Sequence, residues 1–210
     1  MCLGAWLNIG KNVKRVADVG SGTGVLSAMI AQRHRTAEIH AFENNREALF
    51  EFGESLATLP FQNQIKLFEF DVLNDQRKAS YDLIVSNPPF FLNSLKSTNP
   101  ASNAGRHISL SDFIIWLKVL AGFCSEEGSI ALVLPYQSNL NIKVYGDIFN
   151  KSIQASCVIF DRIGKKPLRH LLQYGPLPEV GLIETELYLK DSAGEWSSQY
   201  RELVKDFLCF

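Results

Sequence analysis

The chain has no run approaching the roughly 18 apolar residues that a membrane span requires. Its first residues, Met1-Cys2-Leu3-Gly4-Ala5-Trp6, have neither the basic region nor the long apolar stretch of a secretory signal. Cysteine is sparse and scattered. Cys2, Cys124, Cys157 and Cys209 form no C-x-x-C pair, which argues against a zinc or disulfide framework and for reduced thiols. Neither sign of charge dominates: 21 Lys and Arg stand against 22 Asp and Glu, a net charge of −1. A protein coated in basic charge is excluded, and any contact with a polyanion has to come from a local patch. Internal repeats and low-complexity tracts are also missing, which excludes solenoids and disordered chains. What remains is 210 residues, 46% hydrophobic and 11% aromatic, enough for a real core. These features predict a cytoplasmic protein with one domain over residues 1–210.

Arg15-Val16-Ala17-Asp18-Val19 alternates into a short strand. Gly20-Ser21-Gly22-Thr23-Gly24 follows at once, and Val25 to Gln32 carries apolar residues at helical spacing (Val25, Leu26, Met29, Ile30). In a strand, glycine-rich turn and helix, the backbone turns tightly and a ligand can come close to it. The helix N-terminus adds N–H groups and partial positive charge. The spacing is G-x-G-x-G, not the dinucleotide G-x-G-x-x-G. Glu38 to Glu43 reads as a second strand ending in an acid. Glu43 lies about 20 residues beyond the glycines, where an open α/β sheet places the acid that binds ribose hydroxyls. Asn45 to Ala57 reads as the following helix, with Leu49, Phe52, Gly53 and Leu56 inward. Ile65 to Asp71 reads as a third strand, again ending in an acid. Asp18, Glu43 and Asp71, at three successive strand ends beside a glycine turn, are more than scattered surface charge.

Tyr81 to Ser86 is an apolar run that reads as a buried strand, and it stops at Asn87-Pro88-Pro89-Phe90. Proline has no N–H to donate and fixes its own φ, and the residue before it is pushed into an extended shape. The result is a rigid bracket at a strand end. It presents one side-chain amide, backbone carbonyls and an aromatic face, a set suited to a planar amine.

Asn93 to Ser111 is polar and without evident structure, and reads either as a lid or substrate-binding loop or as a merely mobile one. Within it Arg106-His107 is the candidate polar contact. Ser111-Asp112 can cap a helix through Phe123, with Phe113, Trp116, Leu117 and Leu120 inward. Gly128 precedes the strand Ser129 to Leu134, which Pro135 ends. Asn139 to Asn150 reads as a helix, Ile153 to Asp161 and Ile183 to Leu189 as strands, and Ser198 to Phe207 as a closing helix or turn. Between the last two strands, Arg162 to His170 is the densest basic stretch. It reads either as a solvated loop or as a phosphate-contacting hairpin built on Lys165, Lys166 and Arg169. The alternation predicts an α/β fold, a mostly parallel sheet with helices on both faces. Ligands in such sheets bind at the carboxyl ends of the strands, near the reversal of strand order. The glycine turn, Glu43, Asp71 and Asn87 should therefore converge on one cleft.

With Asp18-Val19-Gly20-Ser21-Gly22-Thr23-Gly24, Glu43, Phe70-Asp71 and Asn87-Pro88-Pro89-Phe90, the chain resembles the class I S-adenosylmethionine-dependent methyltransferases. Within them it resembles the bacterial tRNA1(Val) adenine-N6 methyltransferases, which modify the adenine just 3′ of the anticodon. That second likeness runs through Phe91, Gly105-Arg106-His107, Lys166 to Leu172 and Tyr200 to Phe207, nearly the whole chain. The resemblance implies a Rossmann-like, seven-stranded, mostly parallel sheet with an antiparallel last strand. It implies S-adenosyl-L-methionine as cofactor, with Asp18, Gly20, Ser21, Gly22 and Gly24 around its methionine part. Glu43 with Asn44 would then hold the ribose, Asp71 with Val72 the adenine, and Asn87 would border the cofactor. Asn87, Pro88 and Phe90 are the expected catalytic residues. Phe90, Phe91, Arg106, His107, Lys165, Lys166 and Arg169 are the expected substrate contacts. Relatives carry a longer stretch before the first strand. Here Leu3-Gly4-Ala5-Trp6 remains and most of the preceding part is absent, so the expectation is a shortened N-terminal segment and a less covered cofactor.

The reading is a monomeric enzyme acting on tRNA as a transient partner, with no metal. The same bracket also serves enzymes that methylate guanine N2 in ribosomal RNA, adenine in DNA or glutamine in proteins. A non-catalytic RNA-binding relative is a further alternative.

Overall fold

The computed structural model describes residues 1–72, 74, 80–88, 109–136, 142–176 and 181–208. A single sheet organises them, with strands β1 (Arg15–Val19), β2 (Glu38–Glu43), β3 (Ile65–Glu69), β4 (Tyr81–Ser86), β5 (Cys124–Pro135), β6 (Ser152–Phe160), β7 (Pro167–Gly175) and β8 (Ile183–Tyr188). Their order is β3-β2-β1-β4-β5-β7-β6-β8. β7 runs antiparallel to both its neighbours, and every other pairing is parallel. β1 and β4 read as near-continuous apolar runs because helices cover both faces of a parallel sheet.

Two apolar layers sandwich the sheet. On one face lie α1 (Cys2–Trp6), α2 (Val25–Arg33), α3 (Arg46–Leu56) and α6 (Ser198–Val204), whose Leu3, Ile30, Phe52 and Val204 pack with Val16, Ile39 and Val85. On the other lie α4 (Leu110–Phe123) and α5 (Ile142–Phe149), whose Trp116, Leu117, Leu120 and Phe149 pack with Ala17, Ile84 and Ile130. The inward stripe predicted for α4 is the buried one. Side chains stop the helices where expected. Asn45 caps α3 by accepting from the Ala48 N–H at 3.0 Å. Ser109 and Asp112 form a reciprocal capping box on α4, so the cap lies two residues before the predicted Ser111. Among the described residues no helix is long and apolar enough to cross a membrane.

The sheet has eight strands, one more than the sequence pattern predicts. The added strand is β7, and it is the antiparallel member; Ile183–Tyr188 instead runs parallel to β6 at the sheet's edge. Two features hide β7 in the sequence. It opens on exposed charge, and from His170 to Gly175 every residue is buried, so no alternation marks it. β5 also starts earlier than Ser129, directly from α4. Gly128 therefore lies inside it, where a Cβ would come within 2.7 Å of the Tyr81 carbonyl oxygen and where the β4–β5 register shifts.

The N-terminal Leu3-Gly4-Ala5-Trp6 run forms α1 and belongs to the core. Leu3 and Leu7 are buried, and Arg33 Nη1 donates to the Gly4 and Leu7 carbonyls at 2.6 and 3.0 Å. Buried Gln173 of β7 then clasps the backbone of Asn8. The Asn8 N–H donates to Gln173 Oε1 at 3.1 Å, and Gln173 Nε2 donates to the Asn8 carbonyl at 3.0 Å. Gln173→Ala removes both bonds and should lower stability by about 2–3 kcal/mol. Urea denaturation measures the loss, and faster exchange of the Asn8 amide shows that it arises at this clasp.

Candidate active site

The register aligns Ser86, Val19, Phe42 and Phe68 in one row across β4, β1, β2 and β3. The next residue along each strand forms the row at the carboxyl edge: Asn87, Gly20, Glu43 and Glu69. At a strand spacing of about 4.8 Å, Asn87 stands next to Gly20, with Glu43 one strand further. This is also where strand order reverses, since β1 lies between β2 and β4. The strand ends predicted to converge thus lie side by side along one edge of the sheet.

Gly20, Gly22 and Gly24 all have positive φ, at 75°, 54° and 82°. A Cβ on Gly24 would sit 2.1 Å from the Phe52 ring, and one on Gly20 would sit 3.0 Å from Trp116. A Cβ on Gly22 would meet nothing within 4 Å. Gly20 and Gly24 let α3 and α4 close on the turn, whereas Gly22 opens onto ligand space. The turn is tied to β2: the Gly20 and Ser21 N–H groups donate to the Phe42 carbonyl at 2.8 and 3.1 Å. α2 starts directly behind it at Val25, with Gly24 as its N-cap and no capping side chain.

Glu43 joins the two halves of this cleft. Its Oε2 accepts from the Gly22 N–H at 2.8 Å, and its Oε1 accepts from the Asn44 and Asn45 N–H groups at 3.0 and 2.9 Å. A carboxylate can accept about four hydrogen bonds, so this arrangement orients Glu43 and leaves about one acceptor position, on Oε2, for a hydroxyl. Asn44 contributes its backbone, and its side chain is exposed. Asp71 follows the end of β3 and is half-buried; its Oδ2 accepts from Asn74 Nδ2 at 2.6 Å. The Phe70 N–H donates to the Glu43 carbonyl at 3.0 Å, which carries the β2–β3 pairing one residue further. Val72 and Phe70 are buried beside it.

Asp18 is 1% exposed. Ser27 Oγ donates to its Oδ2 at 2.6 Å, while Oδ1 and the buried Ser21 Oγ have no hydrogen-bond partner among the described residues. Burial pushes the Asp18 carboxyl up from 3.8 to about 6, against the Ser27 hydrogen bonds and with a smaller push from the Glu43 charge. These two orphaned polar atoms, the open space at Gly22 and the anchored Glu43 fit a ligand that carries an amino-acid part and a ribose.

On the acceptor side Asn87 is exposed and Pro88 buried. Phe90, Phe91, Arg106 and His107 lie outside the described residues, as does most of the polar loop 93–111. Lys165, Lys166 and Arg169 are exposed at the β6–β7 turn and the start of β7. Register places them. Ser86 is level with Leu132 and Leu172, and Arg169 faces Pro135. The basic turn thus stands two strands from Asn87 and extends beyond it at the same edge, a separation on the order of 10 Å in each direction. It is a hairpin, not a loose loop.

Two further side chains meet at this edge, Ser86 and Trp116, the second expected only as an inward residue of its helix. Ser86 Oγ donates to the Val19 carbonyl at 2.7 Å and accepts from Trp116 Nε1 at 3.2 Å, all of it buried. The one local signal is a small polar residue at the buried end of β4. Among the described residues no group of three or more His, Cys, Asp or Glu is placed to hold a metal ion.

Residues 7–103 match the family model of the methyltransferase small domain. The chain is 33% identical over 212 residues to a tRNA1(Val) (adenine(37)-N6)-methyltransferase of Haemophilus influenzae, covering 98% of this chain and 87% of that protein. A protein of the same name from Dyadobacter fermentans is 30% identical over 208 residues, covering 98% and 86%. Among solved structures, a predicted O-methyltransferase from Agrobacterium tumefaciens superposes with a TM-score of 0.73 at 19% identity, covering 100% of this chain and 97% of that one; at that identity the likeness concerns fold alone.

The glycine turn at the strand reversal and the Asn-Pro bracket beside it define a class I S-adenosylmethionine-dependent methyltransferase. The chain belongs to the tRNA1(Val) (adenine(37)-N6)-methyltransferase family.

The buried acid has a testable consequence. Between pH 4 and 6 the folded chain keeps the Asp18 proton that the unfolded chain releases, so stability falls as pH rises through this window. Asp18→Asn abolishes this contribution. The variant should gain on the wild type by on the order of 3 kcal/mol between pH 4 and pH 7.5. Urea titrations of both proteins at the two pH values measure it.

Proposed function

We propose that the protein methylates N6 of an adenine in the tRNA anticodon loop, the position 3′ of the anticodon, with S-adenosyl-L-methionine as donor. The observation that carries this is the β1–β4 register, which sets Asn87 beside the Gly20 turn, in a chain of this family. Residues 1–210 work as one methyltransferase domain, monomeric and cytoplasmic, on tRNA as a transient partner.

An exocyclic adenine amine is a weak nucleophile because its lone pair is delocalised into the ring. The Asn87 side-chain oxygen and the Pro88 carbonyl accept its two N–H groups and stabilise the positive charge that develops on nitrogen. Phe90 offers an aromatic face to the base, worth about 1–3 kcal/mol where bases stack on single strands. S-adenosylmethionine bound at the glycine turn supplies a methyl group activated by a positive sulfonium. Asp18 and Ser21 offer acceptors to its amino-acid part, Glu43 takes a ribose hydroxyl, and Asp71 with the Val72 backbone takes the adenine. The protein's remaining task is alignment of the two reactants, which can lower a barrier by roughly 7–11 kcal/mol in favourable cases. The target base has to be unstacked, as in an anticodon loop. Lys165, Lys166 and Arg169 then meet phosphates flanking it.

Incubation with labelled S-adenosylmethionine and total tRNA, followed by nucleoside digestion, should place the label in N6-methyladenosine. Unlabelled tRNA, or label in another nucleoside, overturns the assignment. Asn87→Ala should cut transfer by about 10²–10³-fold while cofactor affinity stays within a few-fold; parallel loss of both makes Asn87 structural.

Replacing Lys165 and Lys166 together with Ala should raise the KM for tRNA and leave cofactor affinity alone. It should also reduce the slope of log affinity against log salt by about 1.4, the value for two phosphate contacts to a single strand. An unchanged slope measured by filter binding assigns the hairpin to solvent.

A further inference from the structure

Ser86 and Trp116 have no place in the chemistry above, yet they occupy the junction between its two halves. Ser86 is fully buried and immediately precedes Asn87. Its hydroxyl donates to the carbonyl of Val19, the residue that immediately precedes the glycine turn, at 2.7 Å. The same oxygen accepts from the Trp116 indole N–H at 3.2 Å. The Trp116 ring in turn lies against Gly20, so close that a Cβ there would sit 3.0 Å from it. One side-chain oxygen therefore joins the end of β4, the end of β1 and the buried face of α4.

The position makes this more than a satisfied core hydroxyl. Val19 and Ser86 are the last partners in the β1–β4 register. Pro88 has no N–H, so the backbone cannot supply a further donor from that residue. Beyond this point the glycine turn and Asn87-Pro88 share no further register pair. Ser86 adds a side-chain tie at the last shared position, and Trp116 limits how Gly20 can shift.

We propose that Ser86 and Trp116 are positioning residues that hold the Asn87 bracket at a fixed distance from the cofactor turn. The inference rests on the methyltransferase reading of the same site. Methyl transfer needs nitrogen, carbon and sulfur in line, and a misplacement of about 1 Å can cost on the order of 10²-fold in rate. Neither residue touches a reactant in this assignment. Their loss should lower kcat while each reactant still binds to its own half-site.

The test measures kcat, KM for tRNA and the dissociation constant for S-adenosylhomocysteine in Ser86→Ala, Trp116→Phe and the double variant, below their melting temperatures. Trp116→Phe keeps an aromatic ring and loses only the N–H donor and the outer ring. Each single variant should lose about tenfold or more in kcat, with KM and cofactor affinity within about twofold of wild type. The double variant should lose less than the product of the two single losses, because the Ser86 oxygen is shared while the ring contact with Gly20 belongs to Trp116 alone. Wild-type kcat in Ser86→Ala and Trp116→Phe overturns the proposal. So does a loss that appears as weaker cofactor binding, which would make the pair a support of the turn alone. The wild-type assay separates the two levels: a wild type that leaves tRNA unmethylated overturns the function and this inference with it, whereas an active wild type with equally active variants overturns the inference alone.

Discussion

The glycine turn and Asn87-Pro88 meet only because β1 and β4 pair in parallel with Val19 opposite Ser86. The side-chain alternation of a strand has a period of two residues, so a slip of one would turn Val16, Leu83 and Val85 away from one core layer and Ala17 and Ile84 away from the other. The buried layers thus fix the register, and the register fixes which residues leave the sheet together. Gly20 and Asn87 are the first residues past the last pair. β1 is followed by α2 on one face of the sheet and β4 by α4 on the other, the reversal at which ligands of open α/β sheets bind. Gly20 and Asn87 are placed there by counting from the core.

The three glycines of the turn answer to different constraints. Gly24 yields to Phe52 of α3, Gly20 yields to Trp116 of α4, and Gly22 yields to open space beside Glu43. Helices from opposite faces of the sheet thus converge on one five-residue turn and stiffen it from two sides. Positive φ at all three positions would be costly for other residues, about 1–2 kcal/mol each. That conformation brings the Gly22 N–H onto the Glu43 carboxylate at 2.8 Å. Backbone groups therefore already orient the Glu43 carboxylate, which reduces what any ligand bound there must order.

Features whose determinants are adjacent in the chain were legible in the sequence. The strand–glycine–helix unit, Glu43 after β2 and the abrupt stop of β4 at Asn87-Pro88 all follow from local pattern and proline geometry. β7 was not legible, because a strand buried on both faces shows no alternation and its exposed start carries Arg169 and a preceding lysine pair. The Ser86–Trp116 bond spans 30 residues of sequence, and only the packing of α4 across β4 brings its partners together. Gln173 is another such case: its partner Asn8 is 165 residues away. Polar residues with distant partners look in the sequence like defects in an apolar run; in the fold they mark where separate elements are fastened.

Asp18 shows where the fold gives up stability at this cleft. An acid that is 1% exposed, with one oxygen lacking a protein partner among the described residues, is an unfavourable choice for a core strand. Its carboxyl is pushed up to about 6 mainly by burial, so at neutral pH the protein holds a charge that its surroundings disfavour. The Glu43 carboxylate adds to that cost. A cationic ligand reverses the sign of the effect, since a nearby positive charge favours the ionised acid. A buried acid beside a glycine turn is thus held at the expense of stability in the unliganded chain.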